Sequence, residues 1–169
     1  MPFKVAASHV GERSRLKDPR SLVVALALRK AREVARRYPR ALVLGADTIV
    51  VCRGEILGKP RDHADSLRIL KLLNGRWQQV YTGVALVWDG GRKSLAKAIR
   101  SGVLARRLPE KDLLRLSGKH LDKAGAYAVQ DRDDPFISRI AGDYDNIVGL
   151  PVAATRKLLM QAGERPRAD

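Results

Sequence analysis

Asp47 is the one charged residue in the apolar run Ala41 to Cys52, ALVLGADTIVVC. An ionised carboxylate set among Val, Ile and Leu is costly unless it is hydrogen-bonded, paired with a cation or bound to a metal. Thr48 follows it with a hydroxyl. Twelve positions after the aspartate, Gly58-Lys59-Pro60 carries a lysine on a restricted backbone. Carboxylate, hydroxyl and ammonium together could handle a metal ion and an anion, so this stretch is the candidate for chemistry. The same residues fit a plainer arrangement, in which Asp47 ends a strand and Lys59 sits in a solvated turn.

The elements that must position these groups can be read around them. The run 41–52 is short and rich in Val, Ile and Leu, as in a strand buried on both faces or in two strands meeting at Asp47. Arg53-Gly54-Glu55 reads as a tight turn. Upstream, Phe3 to Ser8 is extended, and a charged loop leads to Pro19. Ser21 to Tyr38 predicts a helix with an apolar stripe of Leu22, Ala25, Leu26, Ala27, Ala31, Val34 and Ala35. Lys30 lies beside that stripe, where a lysine commonly snorkels.

Downstream, Asp62 to Leu73 predicts a second helix closed by Asn74-Gly75. Val80 to Trp88 is a strand ended by Asp89-Gly90-Gly91, and Ser94 to Leu108 is its partner. A helix follows from Pro109-Glu110 to Leu116. Lys123 to Val129 is compact and rich in small residues, and Gln130 and the polar cluster Asp131 to Asp134 come after it. Phe136 to Ile140 is a short strand, and residues 146–151 make a turn into a last helix, Val152 to Met160.

Composition bounds the function. A chain of 169 residues holds one domain or two small lobes, and 45% hydrophobic residues is enough to exclude disorder. The single cysteine, Cys52, allows no internal disulfide and reads as a buried thiol. No stretch reaches the length of a membrane span and no apolar signal core opens the chain, which points to a cytoplasmic protein without a membrane partner. The net charge of +15 attracts polyanions, and both triphosphates and non-specific nucleic acid are candidate partners. Aromatics are only 5%, so base-stacking platforms for single strands are scarce. Neither a P-loop nor a Rossmann glycine pattern is present.

Five motifs, in order and in register, carry a resemblance. ADTIVV at 46–51, GEILGKPRD at 54–62, NGRWQQVYTGVAL at 74–86, DKAGAYAVQ at 122–130 and GDYDNIVGLPV at 142–152 resemble the Maf family of nucleoside triphosphate pyrophosphatases. The resemblance implies an α/β fold, a mixed twisted sheet with flanking helices, in two lobes around a cleft as in the inosine-triphosphate pyrophosphatases. It implies one such domain over 1–162 with a polar tail at 163–169. It also implies hydrolysis between the α- and β-phosphates of a nucleotide, a divalent metal cation (Mg²⁺) as cofactor, and a homodimer.

Residue by residue, Asp47 matches the family's catalytic aspartate, as proton acceptor for water or as metal ligand. Glu12 matches an acidic residue that supports the metal or the water. Lys30 and Lys59 match lysines that meet phosphates as point charges. Thr48 and Gln130 match positions tied to base selection, and the intact KAGAYAVQ points to the branch acting on dTTP and UTP. A triphosphate carries about four negative charges, so lysines and Mg²⁺ suit the reaction.

Two departures accompany the match. Gln78 stands where the family has His after Gly-Arg-x. Phe3 aligns beyond the family's opening strand and its Ser-x-x-Arg-Arg loop. A shortened Maf-like protein that binds nucleotides with weak or no hydrolysis, or a basic nucleic-acid-binding module, are therefore the alternatives.

Overall fold

The computed structural model describes residues 3–11, 14–131 and 135–163. Helix α1, Pro19–Arg37, starts two residues earlier than the periodicity predicts. The reason is its cap: the Asp18 carboxylate accepts the Ser21 N–H at 2.9 Å, and Pro19 occupies the first helical position, where no N–H is needed. Its buried stripe is Leu22, Val23, Leu26, Ala27, Ala31, Val34 and Ala35.

The apolar run forms one strand, β1 (Val43–Cys52), with Asp47 in its middle. Arg53 and Gly54 both take positive φ, 53° and 81°, and make a two-residue turn into β2, Glu55–Leu57, in the antiparallel register Cys52↔Glu55. Cys52 is buried and unpaired with any other cysteine; burial raises its thiol pKa, as suits an inert core thiol. Helix α2 (His63–Leu73) is capped by Asp62, and β3 (Trp77–Trp88), β4 (Lys93–Ala105), α3 (Glu110–Leu116), β5 (Ile137–Ala141), α4 (Tyr144–Val148) and α5 (Val152–Gln161) complete the chain. The five strands form an antiparallel sheet in the order β2-β1-β3-β4-β5, flanked by helices, so the α/β class stands.

Further elements differ from the sequence-based expectation. Strand β3 begins three residues before Val80, through the polar stretch Trp77-Gln78-Gln79. Helix α4 occupies part of the expected turn 146–151. The Asp143 carboxylate accepts the Asp145 N–H at 2.9 Å at its start, and Gly149, with φ of 112°, follows its end.

The chain divides into two compact units, Met1–Asp47 with Thr82–Ile99 and Gly149–Asp169, and Thr48–Tyr81 with Arg100–Val148. In the first, Ala27, Ala31 and Ala35 of α1 pack on Ala85 and Val87 of β3, and Leu158 of α5 packs with Val84 and Leu86. The core of the second is Val50, Leu57, Ile69, Leu70, Leu73, Val80, Val103, Tyr127 and Phe136 with their neighbours. Here the GDYDN motif has a structural use. Asn146 is fully buried and donates to the Val80 carbonyl at 3.2 Å and to Ser101 Oγ at 3.0 Å, while Ser101 Oγ donates to the Asp143 carbonyl at 2.8 Å.

Gln78 is only 2% exposed, and neither end of its amide has a hydrogen-bond partner among the described residues. A buried amide without partners costs about 1–3 kcal/mol. Gln78→Met keeps the length and removes the polar atoms, so urea denaturation should show a higher midpoint at unchanged slope, worth about 1 kcal/mol or more. A lower midpoint would mean that the amide is satisfied.

Candidate active site

The site begins with a glycine. A Cβ on Gly45 of β1 would lie 2.7 Å from the Ala27 carbonyl oxygen and 2.9 Å from the Ala31 Cβ, so only glycine lets α1 approach this closely. Residues two apart on a strand share a face, so Asp47 points to the same side as Gly45, toward α1. From α1 the Lys30 ammonium donates to Asp47 Oδ1. The aspartate side chain is 8% exposed and that of the lysine 23%, so the pair is closed around the carboxylate and open on the ammonium side. Pairing thus meets the cost of placing a carboxylate in an apolar strand. Lys30 does not simply snorkel.

Thr48 follows on the opposite face of β1 and is half-buried. Lys59 lies in the connection from β2 to α2, exposed, and no carboxylate among the described residues pairs with it. Its loop is tied to the small-residue stretch, because the Gly58 carbonyl accepts the Gly125 N–H at 3.1 Å. Gly125 has φ of 80°, and a Cβ there would lie 2.8 Å from Tyr127 and 2.9 Å from Val50. That contact explains why position 125 must be glycine.

Gln130 is exposed in a turn closed by the Asp131 N–H to Ala128 carbonyl bond of 3.1 Å. The Asp131 carboxylate anchors this turn, pairing with Lys119 at 2.8 Å and meeting His120 Nε2 at 3.4 Å. The structure therefore brings Lys30 to Asp47, and the Lys59 loop to the stretch that leads to Gln130. Glu12 lies outside the described residues.

One cluster escaped the sequence reading. Asp65, in the first turn of α2, accepts from the Arg61 N–H at 3.1 Å, Arg61 Nε at 3.3 Å and Arg68 Nε at 2.9 Å. Arg68 reaches on to Glu55 of β2 at 2.7 Å. The Arg68 guanidinium, and then the Arg61 N–H, hold the Asp65 carboxyl below the usual carboxylate range. Its available signal was the spacing Asp65, Arg68 on one face of the helix, with Arg61 just before it.

With this geometry in hand, comparison with known proteins is decisive. The sequence profile of the Maf family, described as Maf-like protein, matches residues 1–162. This chain belongs to the Maf family. A relative from Elusimicrobium minutum, named dTTP/UTP pyrophosphatase, is 45% identical over 161 residues, which cover 95% of this chain and 88% of the relative. One from Symbiobacterium thermophilum with the same name is 47% identical over 167 residues, covering 96% and 84%. A third so named, from Dictyoglomus turgidum, is 41% identical over 165 residues, covering 95% and 86%. Within this Maf chain, no described helix is long and apolar enough to cross a membrane.

Proposed function

We propose that this chain hydrolyses the pyrimidine nucleoside triphosphates dTTP and UTP to the monophosphate and pyrophosphate. The observation that carries the reading is the Lys30–Asp47 pair, a carboxylate held rigidly in mid-strand with one lysine against it, in a chain whose Maf relatives are named for this activity. Asp47 takes the proton of the attacking water as the α–β anhydride opens and pyrophosphate departs. Rigid neighbours on β1 and α1 keep that oxygen in place through the reaction. Lys30 and Lys59 offer their charges to the phosphates, and Lys59 has no described carboxylate to leave first.

Mg²⁺ fits the donors available. It usually takes one or two carboxylates and completes its shell with water and substrate phosphates. Asp47, with Glu12, supplies that number, and among the described residues no group of three or more acidic, His or Cys side chains forms a closed cage. When bound, the cation neutralises charge on the phosphates.

Thr48 and Gln130 are assigned to the base. A Gln side chain both donates and accepts, which matches the edge of a uracil or thymine. The test is a pyrophosphate-release screen over common and modified nucleoside triphosphates with Mg²⁺. The expected result is a preference for dTTP and UTP, and Gln130→Ala should narrow the gap to purine triphosphates by about tenfold, as losing one hydrogen bond of 1–3 kcal/mol implies. A uniform loss over all substrates would instead assign Gln130 to the phosphates or the framework. No release from any triphosphate would overturn the hydrolase reading.

A further inference from the structure

Among the described residues Lys59 is held by its backbone, and its ammonium has no ion-pair partner there. A lysine of this kind is a point charge on a flexible stem, and where it acts depends on where its Cα is held. The loop that holds it is short. At its start the Gly58 carbonyl is bonded to the Gly125 N–H at 3.1 Å. Next after Lys59 is Pro60, which is buried and restricts the conformation of the lysine before it. At its end the Arg61 N–H is bonded to Asp65 Oδ2 at 3.1 Å, and Asp62 caps the Asp65 N–H at 2.8 Å.

Asp65 is the centre of this second anchor. It is buried, at 8% exposure, and among the described residues it accepts from three donors, the Arg61 N–H, Arg61 Nε and Arg68 Nε. Arg68 in turn bonds Glu55, so the first turns of α2 are braced against β2, the strand that leads into the Lys59 loop. Loop and brace belong to the same compact unit. A brace this elaborate is more than α2 needs, since Asp62 already caps the helix.

We propose that Asp65, braced by Arg68, is a positioning residue that sets Lys59 for the substrate phosphates. The inference rests on the reading above that Lys59 meets those phosphates. Asp65 itself touches no substrate. Its effect passes through the Arg61 amide to the two residues before it.

The experiment is a double-mutant cycle in the full chain, measuring kcat and KM for dTTP with Mg²⁺. Asp65→Asn keeps the size but offers an NH₂ where Arg61 and Arg68 need acceptors. It should lower kcat/KM by about tenfold or more, the scale of a small misplacement of a reacting group. In a Lys59→Ala background the same substitution should change kcat/KM by less than about twofold, because coupled residues are not additive. Arg68→Gln alters an exposed side chain, so it folds where Asp65→Asn fails, and it should show the same dependence on Lys59. Equal losses in both backgrounds would overturn the proposal and leave Asp65 a structural residue. If Lys59→Ala alone leaves kcat/KM unchanged, the assignment of Lys59 to the phosphates fails, and the positioning role fails with it.

Discussion

Asp47→Asn should lower pyrophosphate release from dTTP by about 10²-fold or more while leaving the fold intact, the usual scale for losing a general base. The asparagine has the same shape and keeps an oxygen for the Lys30 ammonium, so the contact across α1 and β1 survives. Lys30 loses this one countercharge, but its side chain is 23% exposed and water can solvate it, so the cost to stability is small. What asparagine cannot do is take a proton from water or bind a cation as a carboxylate does. The measurement is single-substrate kinetics beside circular dichroism and a denaturation midpoint. A folded variant with near-parental release would remove Asp47 from the catalytic role.

Gly83→Ala should destabilise the protein by about 3 kcal/mol or more, at the upper end of what overpacking a core costs. A Cβ at this position of β3 would lie 2.2 Å from the Val23 carbonyl oxygen, 2.4 Å from its carbonyl carbon and 2.8 Å from the Val24 nitrogen. These are backbone atoms of α1 and cannot rotate aside, so the helix must lift from the strand. Lifting it parts Ala27, Ala31 and Ala35 from Ala85 and Val87. It also withdraws Lys30 from Asp47, so turnover should fall even where the variant stays folded. Urea denaturation and dTTP turnover check both. A midpoint within about 1 kcal/mol of the parent would show that α1 has room to move, against the contact distances.

Much of the local structure was legible. The alanine-rich stripe of α1, the span of α2, the Arg53-Gly54 turn and the last helix all rest on periodicity and turn chemistry, which act over a few residues. Asp47 was legible as the odd residue of its run, and the five motifs placed the chain in its family before any coordinate was known.

What the sequence could not show is which polar groups meet. Lys30 lies 17 positions from Asp47, and a lysine beside an apolar stripe looks alike whether it snorkels or pairs. The close approach of α1 at Gly45 decides between the two. Asn146 reaches Val80 and Ser101 across 66 and 45 positions, and the buried amide of Gln78 lies in a strand whose opening residues read as polar. Asp65 carries its signal locally, yet its use as an anchor depends on Arg61 and Arg68 being turned toward it and on Glu55 lying beyond. The sequence by itself determined the elements and the family, because propensity, caps and motifs are written in short-range order. The tertiary structure alone decided the pairing of charges and the burial of amides, because those depend on which backbones come close, and the side-chain volumes that permit the approach are set far apart in the chain.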